Sequence, residues 1–187
     1  AHTVKLGLIS DTHGNLQGWE RAWELALHDA DVIFHCGDLL YHGPKFKPVE
    51  AYDPKALAEA INAVPQPLLI ARGNADSEVD QLVVQVPIQQ PYVFAQVEGV
   101  RVLATHGHLF SPDDLAALCV RWGVDYLLTG HTHVPTIRPL GTCTHINPGT
   151  VTYPLSSEES KRRPTCGVIE GDDVYLLDLG TGERLSV

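Results

Sequence analysis

The fold of this chain is decided near its start, by the stretch Val4-Lys5-Leu6-Gly7-Leu8-Ile9-Ser10-Asp11-Thr12-His13-Gly14-Asn15. Residues 4–9 are mainly apolar and have the length of one β-strand, as expected for a strand that is covered on both faces. Within four residues of this run follow Asp11 and His13, whose side chains can bind a metal ion. The stretch therefore predicts a buried strand that ends at a polar site.

The same arrangement recurs four more times along the chain, although the residues themselves are not repeated. The later apolar runs and the residues that follow them are 31–36 before Gly37-Asp38, 67–71 before Arg72-Gly73-Asn74-Ala75-Asp76, 100–104 before Thr105-His106-Gly107-His108, and 125–129 before Gly130-His131-Thr132-His133. In open α/β sheets, ligands bind beyond the carboxyl ends of the strands. We therefore expect these five polar groups to converge at one edge.

Helical stretches separate several of these runs. We predict a helix over residues 16–29 with Asn15 as its N-cap, a second that begins at Pro54, and a third that begins at Ser111 and Pro112. Strand–helix alternation of this kind implies an α/β fold with substantial parallel character.

The rest of the chain is expected to add antiparallel strands and loops. Residues 83–102 contain strand-like pieces without a helix between them, and residues 170–173 form a hairpin-type turn. Long loops are expected over residues 39–53 and 153–163. We predict a single domain over residues 1–187.

The composition limits the class of protein. A chain of 187 residues with 44% hydrophobic residues suits one compact core. The net charge of −10 argues against a stable nucleic-acid complex, which relies on a basic surface. Neither a membrane span nor a signal peptide is expected, and the scattered cysteines Cys36, Cys119, Cys143 and Cys166 are expected to be buried, reduced thiols. We therefore expect a cytoplasmic protein without a membrane partner.

The polar groups together predict a metal site. The candidate ligands are two acids, one amide and four imidazoles: Asp11, His13, Asp38, Asn74, His106, His131 and His133. Seven ligands exceed the needs of one tetrahedral ion and match two ions ~3.5–4 Å apart, as in many phosphatases and nucleases. A ligand set without thiolate suits Mn²⁺, Fe, Zn²⁺ or Mg²⁺ better than Cu(I). Any one of these groups, taken alone, is more often part of a turn or a structural histidine than a metal ligand. Five such groups in order, each after a buried strand, favour metal binding.

These five blocks resemble those of the calcineurin-like metallophosphoesterase superfamily, over roughly residues 4–150. The family's D-x-H, G-D, G-N-x-D/E, G-H and G-H-x-H blocks are matched by Asp11-Thr12-His13, Gly37-Asp38, Gly73-Asn74-Ala75-Asp76, His106-Gly107-His108 and Gly130-His131-Thr132-His133. The chain length and the residues around these blocks are similar to those of the small YfcE-type phosphodiesterases of bacteria and archaea. Stretches that carry this similarity include Asp38 to Pro44, Arg72 to Asp80 and Asn147 to Thr150.

The resemblance implies a metallo-dependent phosphatase fold, a four-layer α/β/β/α sandwich of two mixed sheets flanked by helices. It implies two divalent ions, with Mn²⁺ expected and Zn²⁺, Fe or Ni²⁺ as alternatives. Asp11, His13 and His133 would bind one ion, Asn74, His106 and His131 the other, and Asp38 would bridge them. A hydroxide held between the ions would attack a small phosphodiester.

The resemblance also suggests roles for four residues beside the metal ligands. His42 or Arg72 would balance charge on the phosphoryl oxygens, although a role in structuring the loops is equally expected for both. Asp76 would orient a ligand imidazole or a loop. His108 is the candidate proton donor, because the residue that has this role in many family members is absent here.

One position departs from the family pattern. Many members have His directly after the Asn of the third block, where it helps to protonate the leaving group, but here that position is Ala75. Loss of such a group costs roughly 10²–10⁴-fold in rate. His108 is the candidate replacement, and activated aryl diesters are expected to be better substrates than alkyl monoesters.

Two other functions compete with this one. The small retromer subunit has the same fold and acts as an interaction scaffold that has lost metal ligands, whereas all seven positions are filled here. A metal-dependent amidohydrolase or a lone-zinc hydrolase is disfavoured by the Asn ligand and the block order.

A homodimer or homotetramer is compatible with the apolar segment 83–97, although core packing explains that segment as well.

Overall fold

Two β-sheets form the centre of the molecule, and helices cover their outer faces. The computed structural model describes residues 2–187; Ala1, the first residue of the predicted domain, lies outside them. The strands are β1 (Lys5–Ile9), β2 (Val32–His35), β3 (Leu68–Ala71), β4 (Ile88–Gln89), β5 (Val93–Val97), β6 (Val100–Ala104), β7 (Tyr126–Leu128), β8 (Thr136–Leu140), β9 (Cys143–Asn147), β10 (Thr165–Glu170), β11 (Asp173–Asp178) and β12 (Arg184–Leu185).

The first sheet has seven strands in the order β12-β11-β10-β1-β2-β3-β4. Strands β1 to β4 are parallel, with Leu8 opposite Phe34 and Ile33 opposite Leu68. Strand β10 pairs with β1 in the antiparallel direction and continues into the hairpin with β11. This sheet is therefore mixed, and its parallel half carries the first three polar groups.

The second sheet has five strands in the order β5-β6-β7-β9-β8. Strands β6, β7 and β9 are parallel, while β5 and β8 run antiparallel at the two edges. The last two polar groups follow β6 and β7. The five predicted strands are thus confirmed, but they are divided between two sheets.

The described residues form four α-helices, and all except a single turn begin where the sequence predicts. They are α1 (Leu16–Ala22), α2 (Pro54–Asn62), the single turn α3 (Asp80–Val83) and α4 (Pro112–Trp122). The side chains that cap α1, α2 and α4 belong to Asn15, Asp53 and Ser111, and each accepts a hydrogen bond from a backbone N–H in the first turn. A 3₁₀ turn covers Glu159–Lys161.

The predicted first helix differs from expectation at its end. It continues beyond α1 as a π-helical turn over Trp23–Leu27. Both the backbone N–H and Nδ1 of His28 lie within hydrogen-bond distance of the carbonyl of Trp23, five residues earlier. This pair of contacts explains the wider turn.

Three apolar clusters define the layers. Ile9, Ile33 and Ile70 of the first sheet pack with α1 and α2, whose buried residues include Trp19 and Leu57. A second cluster joins the inner faces of both sheets, with Leu8, Phe34 and Leu176 on one side and Val102, Leu128 and Ile146 on the other. The third cluster places Leu115 and Cys119 of α4 on Leu103 and Leu127 of the second sheet. The order is α/β/β/α, as predicted.

The cysteines and the lengths of the helices agree with what the composition predicts. All four cysteines are buried and free, as predicted. None of the helices described over residues 2–187 has the length and apolar character required to span a bilayer. The hairpin of β8 and β9 and the short strand β12 were not predicted.

Candidate metal centre

The seven predicted ligands gather where strand ends of the two sheets meet. Asp11 and His13 follow β1, Asp38 follows β2, and Asn74 follows β3 in the first sheet; His106 follows β6, and His131 and His133 follow β7 in the second. Five of these seven side chains line one cavity of about 320 Å³. The site is therefore built from both sheets.

One group of ligand atoms lies deep in this site. Oδ1 of Asp11 is 3.1 Å from Nε2 of His133 and 3.6 Å from Nε2 of His13. The two imidazole Nε2 atoms are 3.3 Å apart. The three side chains are buried, and their ligand atoms all lie within 4.8 Å of one another. This is the trio that the resemblance assigns to one ion.

A second group shares Asp11 and adds Asp38 and His106. Nε2 of His106 is 3.2 Å from Oδ2 of Asp38 and 3.9 Å from Oδ1 of Asp11. Oδ2 of Asp38 also lies 3.7 Å from Nε2 of His13 in the first group. Asp38 thus approaches a residue of each group, and its role as the bridging carboxylate stays a prediction.

Asn74 and His131 complete the set on the open side of the site. Both residues are exposed, and Oδ1 of Asn74 is 3.1 Å from Nδ1 of His131. The His131 ring is 5.1 Å from that of His106, centroid to centroid. The assignment of Asn74, His106 and His131 to a second ion stays a prediction.

Hydrogen bonds fix the ring orientation of the three buried candidate ligands that are histidines. Nδ1 of His13 donates to the carbonyl of Tyr41, and Nδ1 of His133 donates to that of Tyr153, each over 2.8 Å. Nδ1 of His106 donates to the carbonyl of Cys36 over 2.7 Å. In each ring Nδ1 therefore carries a proton and Nε2 points to the other ligand atoms; metal-binding histidines are commonly held in this way.

Two buried atoms indicate that the residues fit a cation. Among the described residues, Oδ1 of Asp11 and Nε2 of His106 are buried side-chain atoms without a hydrogen-bond partner. Such atoms are rare and costly in folded proteins. Both belong to the groups of converging ligand atoms, and an oxygen–nitrogen ligand set of this kind suits divalent ions.

The charges of the cluster also favour a cation. Burial opposes the charged form of Asp11, yet His13 and His133 hold the pKa of its carboxyl well below the usual range. Burial likewise opposes a charged His106, yet the nearby carboxylates of Asp38 and Asp11 raise the pKa of its imidazole to about 9. The two carboxylates therefore favour positive charge at this point, which divalent ions supply.

The backbone of the site is unusual. Asp11, His13, Asp38, His131 and His133 have φ angles of 45° to 70°, in the left-handed region. Such angles are uncommon for residues other than glycine and cluster at functional sites. Five of the seven candidate ligands are thus held in strained conformations, a feature that the sequence pattern does not reveal.

Asp76 holds the ends of β2 and β3 together. Its buried carboxylate accepts hydrogen bonds from the backbone N–H groups of Asp38, Leu39 and Gly73, over 2.7–2.9 Å. Gly73 has no room for a side chain, because a Cβ there would overlap the carboxylate of Asp38. Asp76 therefore positions the Asp38 loop and contacts backbone groups in doing so.

The other predicted catalytic residues lie at the border of the site. Nδ1 of His42 donates to the carbonyl of Phe46, and Nε of Arg72 donates to that of Asp76, as expected for loop-structuring residues. The exposed ring of His108 is 5.4 Å from that of His106 and 6.0 Å from that of His131. Substrate contacts for these three residues stay predictions.

Three residues that line the cavity, and a fourth that packs against one of them, were not predicted from the sequence. Lys45, Phe46 and Leu155 line it beside the ligands, and Tyr153 stacks on Phe46 with ring centroids 4.3 Å apart and an interplanar angle of 8°. All four belong to the two long loops that were expected to shape the pocket. Aromatic residues in such loops were the available signal, but nothing in the sequence pairs Phe46 with Tyr153.

The fold and the ligand cluster define a class of protein, and sequence comparison identifies the same one. A model of the calcineurin-like phosphoesterase superfamily domain matches residues 4–173. The chain belongs to this superfamily.

One relative is of the YfcE type, as the resemblance predicted. The chain is 42% identical over 177 residues to phosphodiesterase YfcE of Escherichia coli K12, which covers 94% of this chain and 92% of the relative. It is 30% identical over 164 residues to a probable metallophosphoesterase of Methanothermobacter thermautotrophicus, with coverage of 83% and 81%.

Solved structures agree. The structure of the Yfce phosphoesterase from E. coli matches with a TM-score of 0.83 and 33% identity over 98% of this chain and 97% of the other. Vacuolar Protein Sorting 29 from Cryptosporidium parvum matches with a TM-score of 0.68 and 21% identity, covering 98% and 95% of the two chains. The latter likeness shows the fold alone.

Proposed function

We propose that this protein is a metal-dependent phosphodiesterase that hydrolyses a small phosphodiester. The observation that carries the proposal is the buried Asp11–Asp38–His106 group, with its two unpartnered ligand atoms, beside a cavity open to solvent. The named activity of the E. coli relative at 42% identity supports the phosphodiester as substrate.

The seven predicted ligands would hold two divalent ions, for which we propose Mn²⁺, with Zn²⁺, Fe or Ni²⁺ as alternatives. When bound, such ions supply positive charge for the phosphoryl oxygens and make a water nucleophile available near neutral pH. Asp38 approaches a residue of each ligand group, which supports a bridging role for its carboxylate. Tyr41, Tyr153 and Cys36 supply the carbonyls that keep Nε2 of three imidazoles free for the ions.

The chain's own residues position the substrate. Five ligand side chains form one wall of the cavity, and Lys45 is the only lysine or arginine among the described residues that line it. Its ammonium group is placed to attract the single negative charge of a diester. Asp76 keeps the Asp38 loop in place from behind.

Ala75 favours substrates with activated aryl leaving groups. This residue lines the cavity, and its N–H donates to Oδ1 of Asp38, but its methyl group has no proton to give to a leaving group. We propose His108, near the His131 ring, as the remaining donor. Activated aryl leaving groups need little protonation, so bis-p-nitrophenyl phosphate should be hydrolysed faster than an alkyl monoester. The expected preference for this diester over p-nitrophenyl phosphate, which has the same leaving group, rests on the named activity of the E. coli relative.

The decisive experiment combines metal analysis with an assay. Purified protein is reconstituted with Mn²⁺, Zn²⁺, Fe²⁺ or Ni²⁺, and metal per chain and hydrolysis of bis-p-nitrophenyl phosphate are measured. We expect about two ions per chain, activity that is abolished by a chelator, and a loss of roughly 10³-fold or more in Asp38→Asn. Asn tolerates the positive φ of this position.

The exposed hairpin residue Asp172 provides the control, since Asp172→Asn removes a carboxylate far from the site. Chelator-resistant hydrolysis, or full activity in Asp38→Asn, would overturn the proposal. A clear preference for an alkyl monoester would count against the diester assignment alone.

Location and assembly stay predictions. We propose a cytoplasmic protein, which cell fractionation with an antibody would test, and a single domain over the full chain. A homodimer or homotetramer, as opposed to a monomer, would be recognised by light scattering on the purified protein. The scaffold alternative has less support, because all seven ligand positions carry a metal-binding side chain.

A further inference from the structure

The cavity beside the predicted metal ligands has a second, apolar wall. Pro44, Phe46, Ala75 and Leu155 line it together with the ligand side chains, and the ring of Phe46 lies beside those of His13 and His133. Leu155 is 51% exposed in this position. An exposed large apolar side chain at the mouth of a polar cavity is typical of a binding surface for an apolar group.

Phe46 is held rigidly in this wall. One neighbour is the ring of Tyr153, parallel to it at 4.3 Å, and the ring of His133 lies 5.8 Å away at an angle of 21°. The hydroxyl of Tyr153 donates to the carbonyl of Lys47, and Nδ1 of His42 donates to that of Phe46. The aromatic surface is therefore fixed before a ligand arrives, which lowers the entropic cost of binding.

The dimensions limit what fits. The cavity volume of about 320 Å³ is at the lower end of the ~300–1,000 Å³ that is typical of small-molecule sites. It accommodates a phosphate at the ligands with one ring-sized group beside it. Lys45 and the ligand cluster provide the charge for the phosphate, and Phe46 and Leu155 provide the surface for the ring.

We propose that the substrate is a small phosphodiester with an aryl or heteroaryl ester group, and that this ring packs against Phe46 and Leu155. The inference rests on the proposed phosphodiesterase function and adds the class of ester group to it. Aromatic contacts contribute about 0.5–1.5 kcal/mol beyond the burial of area, which corresponds to about two- to twelvefold in affinity.

The test compares two hydrolysis-resistant ligands of similar size, phenylphosphonate and cyclohexylphosphonate. Their affinities for the metal-loaded protein are measured by calorimetry in the wild type and in Phe46→Leu. We expect phenylphosphonate to bind about two- to twelvefold tighter in the wild type and the preference to vanish in the variant. The ratio is insensitive to metal loading, because both compounds present the same phosphonate.

Phe94→Leu is the matched control, since Phe94 is an exposed phenylalanine on β5 that packs against the ring of Trp122, outside the cavity. It should keep the wild-type preference. Because Phe46→Leu changes a half-buried ring, a second variant at the exposed Leu155 is included. Leu155→Ser should weaken phenylphosphonate about two- to fivefold relative to methylphosphonate, since apolar contact area is lost.

Equal affinities in the wild type, or a preference that survives Phe46→Leu, would overturn the inference. Loss of binding for both ligands to the same extent would do so as well, because it would assign Phe46 to the metal site. Hydrolysis of bis-p-nitrophenyl phosphate by the same preparations separates the two proposals. If hydrolysis is present and the preference absent, the inference alone fails; if hydrolysis is absent, the proposed function fails.

Discussion

At the level of single residues, most candidate ligands combine a metal-binding side chain with an unusual backbone conformation. Five of them lie in the left-handed region, where a residue other than glycine costs of order 1–3 kcal/mol. Asp, His and Asn tolerate this region better than most side chains. The residue types that bind metal are thus also those that this backbone path accepts most easily.

His131 allows this strain to be measured. It is exposed with φ of 70°, and Asn is among the best substitutes in the left-handed region. We expect His131→Asn to keep or slightly raise the melting temperature in chelator-containing buffer while metal per chain falls. The measurements are calorimetry and metal analysis.

Glu98 provides the control for this experiment. It has φ of 48° in the β5–β6 turn, next to Gly99, and lies far from the ligands. Glu98→Asn creates the Asn-Gly pair that such turns favour, so stability should rise by about 0.5–1 kcal/mol with metal content unchanged. A His131→Asn variant that unfolds more easily, or that retains both ions, would contradict the explanation by strain.

Asp76 is the second residue with a measurable effect. In Asp76→Asn the amide oxygen can replace only one carboxylate oxygen, and its NH₂ group faces a backbone N–H. We expect a loss of about 1–3 kcal/mol in the free energy of unfolding and weaker metal binding through Asp38. Denaturant unfolding and metal titration measure the two effects.

Asp80→Asn is the matched control for Asp76, because the carboxylate of Asp80 accepts a single exposed bond from the N–H of Ser77. It should change stability by less than about 0.5 kcal/mol. Equal effects of the two substitutions would show that the three buried hydrogen bonds of Asp76 do not hold the loop.

Most of the site can be predicted from the sequence for a local reason. Each ligand follows a buried strand directly, so its position depends on neighbouring residues. The carbonyls of Tyr41 and Tyr153 that orient His13 and His133 could not be predicted, because a backbone carbonyl has no sequence signature and its position depends on a long loop.

At the level of elements, the same distinction applies to helices and strands. The caps of α1 and α4 and the proline that begins α2 are local signals and were predicted, whereas Asp53 as the cap of α2 was not. Strand β8 contains Pro139 and has mostly half-exposed residues, so its pattern is weak. It is specified by its antiparallel pairing with β9 at the sheet edge, which is a tertiary contact.

The loop between β2 and α2 provides a prediction through its lysines. Lys45 lines the cavity, whereas the exposed Lys47 contributes a backbone carbonyl to the hydroxyl of Tyr153. We expect Lys45→Ala to raise the KM for bis-p-nitrophenyl phosphate about three- to tenfold with little change in kcat, since a charge contact made in the ground state is lost.

Lys47→Ala is the control, because it removes a nearby charge and leaves the carbonyl in place. The effect of Lys45 should also decrease at high salt, where charge interactions are screened. A similar KM change in both variants would indicate the general field of the loop and would exclude a specific contact by Lys45.

At the level of the whole molecule, the metal site joins the two sheets. Asp11, Asp38 and Asn74 come from the first sheet, and His106, His131 and His133 come from the second. The four-layer order follows from the resemblance and is confirmed, whereas the strand pattern alone predicts only an α/β fold. Alternation of strands and helices does not specify how strands are divided between sheets.

The stability of the whole molecule should depend on pH through His145. Burial, together with the neighbouring Arg138, lowers the pKa of this imidazole to about 4, against about 6.5 in an unfolded chain. Between these values the unfolded state binds more protons, so stability decreases as the pH falls from 6.5 towards 4. The slope from one group is at most about 1.4 kcal/mol per pH unit, less where solvent screens the charge.

His145→Gln removes the imidazole that takes up a proton in the unfolded state. We expect unfolding free energies measured from pH 4.5 to 7 in chelator to show a shallower slope in the variant than in the wild type. His2→Gln is the control, because His2 is exposed at the start of the chain. Identical slopes in wild type and His145→Gln would show that His145 is not held neutral by the fold.

The left-handed backbone of the ligands has a consequence for how such a protein changes under selection. A population of variants selected only for resistance to heat, without any demand for activity, gains most readily where a strained conformation is relieved. Glycine or asparagine should therefore accumulate at positions 11, 13, 131 and 133 before the apolar core changes. Without selection for hydrolysis, the protein would lose its candidate metal ligands early and retain its four-layer fold.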